Sequence, residues 1–306
     1  MEEGDERKRR GRSPDLDRLW DYDHPDASER KFRDLLPAAV DSGDLSYIAQ
    51  LLTQIARAEG LQRRFEDAHK TLDRVEKALP KADDKAKIRY LLERGRVFNS
   101  SGNTDDARPL FLQAYDLALK SKEDPYAVDA AHMMAIVEPT EKQLQWNLKA
   151  LALAEDSQDE RARNWKGSLY NNIGWTYFDQ RQYEDALAMF EKALEFREEQ
   201  GDPTSIRIAK WGVAKALRMM DHTEEALEMQ EELLQEYEAA GQTSGDVYEE
   251  IAECLIVMDR EQEAQEWFAA AYRELSKDPW VATEYDRLNR LKELGKVTGV
   301  EPSQHG

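Results

Sequence analysis

The chain has 306 residues, 41% hydrophobic and 35% charged, with 63 acidic against 43 basic side chains and a formal net charge of −20. A surface so acidic is repelled by nucleic-acid phosphate and anionic lipid unless its cations gather in one place. A single cysteine, Cys254, excludes an intrachain disulfide and a cysteine zinc cluster, and no apolar run approaches the roughly 20 residues of a membrane span.

Read from the amino terminus, residues 1–14 form an arm expected to be disordered. Its basic cluster Arg7-Lys8-Arg9-Arg10-Gly11-Arg12 stands beside Glu2, Glu3, Asp5 and Glu6, which largely offset it, so a solvated arm is favoured over a targeting or nucleic-acid signal. The charged start is also unlike a secretory signal, and the sequence reads as cytoplasmic. Leu16-Asp17-Arg18-Leu19-Trp20 reads as a truncated first helix, followed by a second at 28–40.

From there the pattern is helical and comes in pairs. The clearest pair holds Tyr170-Asn171-Asn172-Ile173-Gly174-Trp175-Thr176-Tyr177, then Tyr183-Glu184-Asp185-Ala186-Leu187 and Phe190-Glu191-Lys192-Ala193-Leu194. Positions equivalent to Ala186 fall at Ser28, Ala68, Ala107, Gln143, Ala226 and Ala264, a period of about 39 residues, within the range of repeat architectures. Four positions later comes Phe32, Leu72, Phe111, Phe190 or Phe268, and three further on Leu35, Val75, Ala114, Ala150, Ala193, Leu233 or Ala271. These spacings share one helical face. Twelve residues before each marker a small residue (Ala56, Gly95, Ala131, Gly174, Ala214, Ala252) lets the two helices of a pair approach closely. The pair at 126–156 is degenerate, because Gln143 stands where a small residue is expected.

Turn signals such as Ser101-Gly102-Asn103, Gly201-Asp202-Pro203 and Lys277-Asp278-Pro279 separate the helices, and an amphipathic helix at 280–295 closes the stack. The expected organisation is an arm at 1–14, one repeat domain at 15–296 and a flexible tail at 297–306. The domain would hold about six full hairpins, an amino-terminal partial repeat and the carboxy-terminal capping helix.

Gly174, Tyr177, Ala186, Phe190 and Ala193 carry a resemblance to the tetratricopeptide repeat (TPR) family, in a long-period form similar to kinesin light chain-type and Rap-type repeats. It covers roughly 16–275. HEAT and armadillo repeats share the longer period but not this small-and-aromatic pattern. The resemblance implies an all-α, right-handed α-solenoid of antiparallel helix pairs whose first helices line a concave wall. It further implies that Asn171, of the pair Asn171-Asn172, faces that channel, where an amide can hold the backbone of an extended peptide. The carboxylate clamp of chaperone-binding members is not matched, since Ile208 and Gly212 stand where it wants cations.

On such first helices, residues three before, one after and four after the small residue share the inward face. That places Arg57, Arg96, Asn99, His132, Asn171, Trp175, Trp211, Lys215 and Arg218 on the wall, with Arg89 a further cation of the same helices. Residues 86–99 carry four basic and one acidic side chain, and 206–219 carry four basic and none acidic. The last first-helix reverses sign with Asp246, Glu249, Glu250 and Glu253. A basic groove with Trp175, Phe178 and Trp211, ending in an acidic lip, suits an acidic or amphipathic peptide with an apolar anchor. Helical cations also commonly pair with acids of neighbouring helices, where each exposed pair contributes about 0–1 kcal/mol, so the groove requires them unpaired.

Chemistry of other kinds finds no motif. The five histidines are scattered, none at the spacing of a helical metal site. No glycine-rich phosphate loop or nucleophile elbow occurs, and Cys254 lies in an apolar register, as an inert thiol would. The sequence thus points to a non-catalytic protein–protein interaction scaffold or adaptor, without metal or cofactor, whose partner is an acidic protein or peptide. The alternatives are a scaffold that self-associates as a homo-oligomer through 280–294 or the degenerate pair at 126–156, and a regulatory module acting on a separate enzyme. On the groove reading, reversing Arg96 and Lys215 to Glu abolishes capture and leaves helicity intact.

Overall fold

The structure, a computed structural model, describes residues 14–278 and 281–298. The expectations for 1–13, for Pro279 and Trp280, and for 299–306 lie outside the described residues. Among the described residues there is no strand. The chain divides between Trp165 and Lys166 into two compact units.

The first unit opens with a 3-10 turn, Leu16–Leu19, and continues through α1 (Pro25–Ser42), α2 (Leu45–Leu61), α3 (Phe65–Ala78), α4 (Asp84–Ser100), α5 (Thr104–Ser121), α6 (Asp124–Val137), α7 (Thr140–Asp156) and the short α8 (Glu160–Arg163). The second holds α9 (Lys166–Asp179), α10 (Tyr183–Gln200), α11 (Pro203–Met219), α12 (Thr223–Ala239), α13 (Gly245–Val257), α14 (Glu261–Leu275) and α15 (Tyr285–Leu294). Each unit is a stack of antiparallel hairpins, α2/α3, α4/α5 and α6/α7 in one and α9/α10, α11/α12 and α13/α14 in the other. The all-α solenoid architecture expected from the repeat is what the chain adopts.

Local chemistry sets the helix ends. The carboxylates of Asp44, Asp83 and Asp202 and the hydroxyl of Ser244 accept the first free N–H groups of α2, α4, α11 and α13. Within the hairpins, the turn residue five before each marker alanine is left-handed: Arg63, Gly102, Arg181, Asp221 and Asp259 all have φ between 57 and 87°. Only one of the five is glycine, so the other four carry a conformation that costs an ordinary residue about 1–2 kcal/mol. The α6/α7 turn differs. It runs through extended Glu138 into Pro139, and Gln143 at the marker position donates its amide to the Glu138 carbonyl at 3.2 Å. The degenerate hairpin therefore has a different turn, and Gln143 closes it.

Packing explains the small residues. Phe111 and Phe190 are fully buried and lie flat on the glycines of the preceding helix. A Cβ at Gly95 would meet Phe111 Cε1, and one at Gly174 would meet Phe190 Cε1, each at 2.5 Å. Gly174→Ala is expected to destabilise the chain by roughly 1–3 kcal/mol through overpacking, seen as a lower urea midpoint with an unchanged slope. An unchanged midpoint would show that Phe190 can move aside. At the carboxy-terminal end α15 begins at Tyr285 and buries Leu288 and Leu291 against the second unit's core.

Candidate functional site

On α2, α4, α6 and α13 the positions one after and two before the small residue are both polar, and on α11 the first of them is Lys215. The two positions lie three residues apart, so they share a helix face. Arg57, Arg96 and Lys215, each one after its small residue, reach a carboxylate two before the small residue of the next inner helix. Arg57 on α2 binds Glu93 on α4 at 3.1 Å, and Arg96 on α4 binds Asp129 on α6 at 2.5 Å. Arg96 also reaches back to Glu93 at 2.6 Å, giving an unbroken row Arg57–Glu93–Arg96–Asp129 across three helices. Glu93 is 4% exposed. Burial works against the Asp129 carboxylate, but Arg96 and Arg57 outweigh it and hold its pKa below the ordinary value.

The second unit repeats the rule. Lys215 on α11 binds Glu250 on α13 at 2.7 Å, and Arg218 binds the same carboxylate at 2.9 Å. Glu250 is 2% exposed. Burial alone would raise its pKa, and the two cations outweigh that and depress it. Arg287 on α15 binds Asp246 at 2.6 Å and Glu249 at 2.5 Å, and Arg290 pairs with Glu253.

These pairs correct the expected basic groove. Arg57, Arg96, Lys215 and Arg218 do face the inner helices, but each is already joined to a carboxylate of a neighbouring helix, so the row is a stitched lattice rather than a line of free cations. The acidic lip is corrected in the same way, because α15 lays two arginines over it. Asn99 is half-buried and accepts the Thr104 hydroxyl at 3.2 Å, bracing its own turn. His132 packs against Trp165 with ring centroids 5.2 Å apart. Burial lowers its pKa, with Arg96 acting in the same sense and Asp129 opposing. Arg89, 5% exposed, binds Asp17 of the amino-terminal turn at 2.6 Å.

The aromatic residues of the second unit keep an open face. Trp175 and Phe178 on α9 and Trp211 on α11 are half-buried. Trp175 lies 5.4 Å from Trp211 and 5.2 Å from Phe178, and its other side rests on the buried Phe190 at 4.9 Å. Lys215 sits 4.8 Å over the Trp211 ring, and the Trp211 indole donates to the Asp246 carbonyl at 3.3 Å. Asn171, also half-buried, is on α9 one turn before Trp175. A shallow cleft of about 240 Å³ opens beside Trp211, lined also by Ile208, Tyr237 and Val247, and Ile208 is 52% exposed. Trp146 and Trp267, by contrast, pack on second helices against Tyr115 and Tyr248.

Glu93, Asp129 and the contacts of Asp17 and Trp20 escaped the reading of the sequence, which placed Glu250 in an acidic lip but not as the partner of Lys215 and Arg218. Glu93, Asp129 and Glu250 recur two residues before Gly95, Ala131 and Ala252, a signal that was present in the repeat register. Burial pushes the Cys254 thiol up to about 12, which leaves it unreactive. Among the described residues, no group of three or more His, Cys, Asp or Glu side chains is arranged to hold a metal, and no helix is long and apolar enough to cross a membrane.

A tetratricopeptide repeat model matches residues 166–239, which are α9 to α12. Among solved structures the chain is similar to the apo form of RapI, at 13% identity and TM-score 0.70, over 90% of this chain and 79% of that one. It is similar to NprR in complex with its cognate peptide NprX, at 18% identity and TM-score 0.58, over 90% and 82%. TPR-like repeats from Podosopora anserina, described as nearly identical repeats of a kinesin light chain, align at 17% identity and TM-score 0.51, over 62% and 95%. No curated protein matches the sequence. At these identities the likeness is one of fold.

Proposed function

We propose that this chain, of tetratricopeptide-repeat type, is a non-catalytic cytoplasmic scaffold that captures a peptide segment of a partner protein. The observation that carries the reading is the stacked, half-exposed cluster Trp175, Phe178 and Trp211. Large aromatic side chains that remain partly open while rigidly backed are the residues on which binding energy concentrates. Phe190 backs Trp175, and the Asp246 carbonyl fixes the Trp211 indole. Asn171 stands one turn away on α9 to pair with the captured backbone, and the Ile208 cleft takes an apolar anchor. NprR, a chain of similar fold whose structure holds its cognate peptide NprX, lends support.

The acidic preference of the ligand then comes from what is left over. Lys215 spans Glu250 and the Trp211 face, so an acidic residue beside the anchor meets a cation already neutralised once, a contact that guides orientation more than affinity. The rival reading, self-pairing through 280–294, would draw on the exposed Tyr285 and Leu294, since Leu288 and Leu291 are buried within the chain.

The test uses a phage-displayed library of random twelve-residue peptides selected on the full chain and counter-selected on Trp175→Ala/Trp211→Ala. Selected peptides should carry an apolar anchor near an acid and bind the double variant at least about tenfold more weakly, the loss of one such anchor being worth roughly 1.4 kcal/mol or more. Peptides that bind both chains equally would overturn the assignment of this face.

A further inference from the structure

The amino-terminal segment 15–22 is anchored at its end on α1, where Trp20 lies 5.1 Å from Phe32 and Ser28 bonds Asp21, and it also reaches across the inner helices. Asp17 reaches Arg89 on α4 at 2.6 Å and lies 3.7 Å from Arg161 on α8. Trp20 donates its indole N–H to Gln54 on α2 at 2.8 Å. Trp20 and Tyr22 stack at 4.9 Å, and Arg57 lies 5.8 and 5.5 Å from their ring centres. A cap would be expected to touch only the terminal hairpin, whereas these contacts reach α2, α4 and α8.

The segment has the composition of a ligand. It places an acid, a tryptophan and a tyrosine at alternate contacts, and among its side chains Leu16 alone is buried, at 4% exposed. It also leaves the surface under-satisfied: Nε of Arg57, Nε of Arg89 and the Tyr126 hydroxyl are buried with no hydrogen-bond partner. Tyr126 nonetheless faces Arg89, whose guanidinium is 5.2 Å from its ring. Buried polar groups without partners are costly, and an occupant that paired them would bind better.

We infer that residues 15–22 are an internal occupant of a recognition site on the first unit, and that this site takes an acidic, tryptophan-bearing segment of a partner protein in their place. Arg89 and Arg161 receive the acid, and Gln54 and Arg57 receive the indole. The internal copy sets a threshold, since a tethered segment acts at an effective concentration in the millimolar range. Only a tighter or locally concentrated partner displaces it. The site lies within the first unit and stands or falls separately from the Trp175–Trp211 face.

The test uses the full chain and a fluorescent peptide copying residues 14–24 as the probe. In Asp17→Lys/Trp20→Ala the internal copy is weakened, and the probe should bind at least about tenfold tighter than to the unaltered chain, because the intramolecular competitor is gone. Adding Arg89→Glu should abolish that binding, and a probe with its own Asp17→Arg change should recover part of it. Trp175→Ala/Trp211→Ala should leave it untouched. A folded Asp17→Lys/Trp20→Ala chain, by circular dichroism, that binds the probe no better than the unaltered chain overturns the inference. Hydrogen exchange on the unaltered chain decides the matter even if that variant unfolds. Amides of 16–22 exchanging far faster than those of α2 and α4 support an occupant that leaves while the unit stays folded, and exchange at the unit's own rate makes it a fixed part of the fold.

Discussion

Arg96→Glu is expected to unfold or severely loosen the first unit rather than merely remove a binding contact. The guanidinium lies between Glu93 and Asp129, with side chains 5% and 13% exposed, and bonds to both. Removing one partner from a buried ion pair costs about 3–5 kcal/mol, because the other charge stays desolvated without compensation. Reversal does more, setting a third carboxylate between Asp129, which has lost its bonded cation, and Glu93, which keeps Arg57 alone, so the loss should exceed about 4 kcal/mol, a large part of the 5–15 kcal/mol that holds an ordinary domain. The measurement is urea unfolding followed by far-ultraviolet circular dichroism, with Arg96→Met beside it to keep the aliphatic stem and drop the charge. Asp129→Arg introduced into the Arg96→Glu chain should restore part of the stability. Wild-type stability in Arg96→Glu would mean that the pairs are incidental and the arginine is free to serve a ligand.

That expectation reverses the one drawn from the sequence, in which Arg96 and Lys215 could be reversed without loss of helicity, and the reason lies in which positions can be read from a repeat. The small residue and the aromatic that lies on it show directly, because Gly95 with Phe111 and Gly174 with Phe190 keep a fixed separation and a strict size relation. The inward-facing cations were legible for the same reason, Arg57, Arg96 and Lys215 following a small residue by one and Arg218 by four. Their partners were not. An inward position three before the small residue and one two before it differ by about 100° of helix rotation, and it is the second that places Glu93, Asp129 and Glu250 against the cations of the neighbouring inner helix. Counting net charge helix by helix concealed a lattice that is neutral only when adjacent helices are taken together.

The amino-terminal segment was hidden more deeply. Asp17 meets Arg89, 72 residues on, and no periodicity links them. The Gln143 hairpin failed in the sequence for a local reason, since its turn uses Glu138 and Pro139 in place of a left-handed residue. The aromatic face fell between the two. Trp175 and Trp211 are identifiable as inner residues, but only packing shows that one side of the cluster is backed by Phe190 while the other stays open.

Glu250→Gln should cost about 3 kcal/mol at neutral pH, by leaving Lys215 and Arg218 around a side chain without charge, and the loss should vanish in acid. Burial opposes the Glu250 carboxylate, but the two cations outweigh it, so the folded carboxyl titrates below the ordinary glutamate value of 4.5. As pH falls, the unfolded chain therefore takes up its proton first. The contribution of the Lys215–Glu250–Arg218 cluster is fully present above that value and drains away down through the lower folded pKa. Asp129, depressed by Arg96 and Arg57 against the effect of burial, titrates in the same sense in the first unit and remains in the variant. The unaltered chain should thus lose stability more steeply than Glu250→Gln as pH falls below about 4.5, and the two urea midpoints should converge at the acid end. Parallel curves across that range would show that the variant's loss at neutral pH comes from altered packing, with no share from the charge. A second arm separates this from general acid sensitivity: Glu231→Gln, on the exposed side of α12, should track the unaltered chain at every pH. Salt distinguishes further, because Glu250 is 2% exposed and a pair so buried is screened far less than surface pairs by ions that act over about 10 Å at 0.1 M. The gap between the unaltered chain and Glu250→Gln at neutral pH should therefore persist when salt is raised.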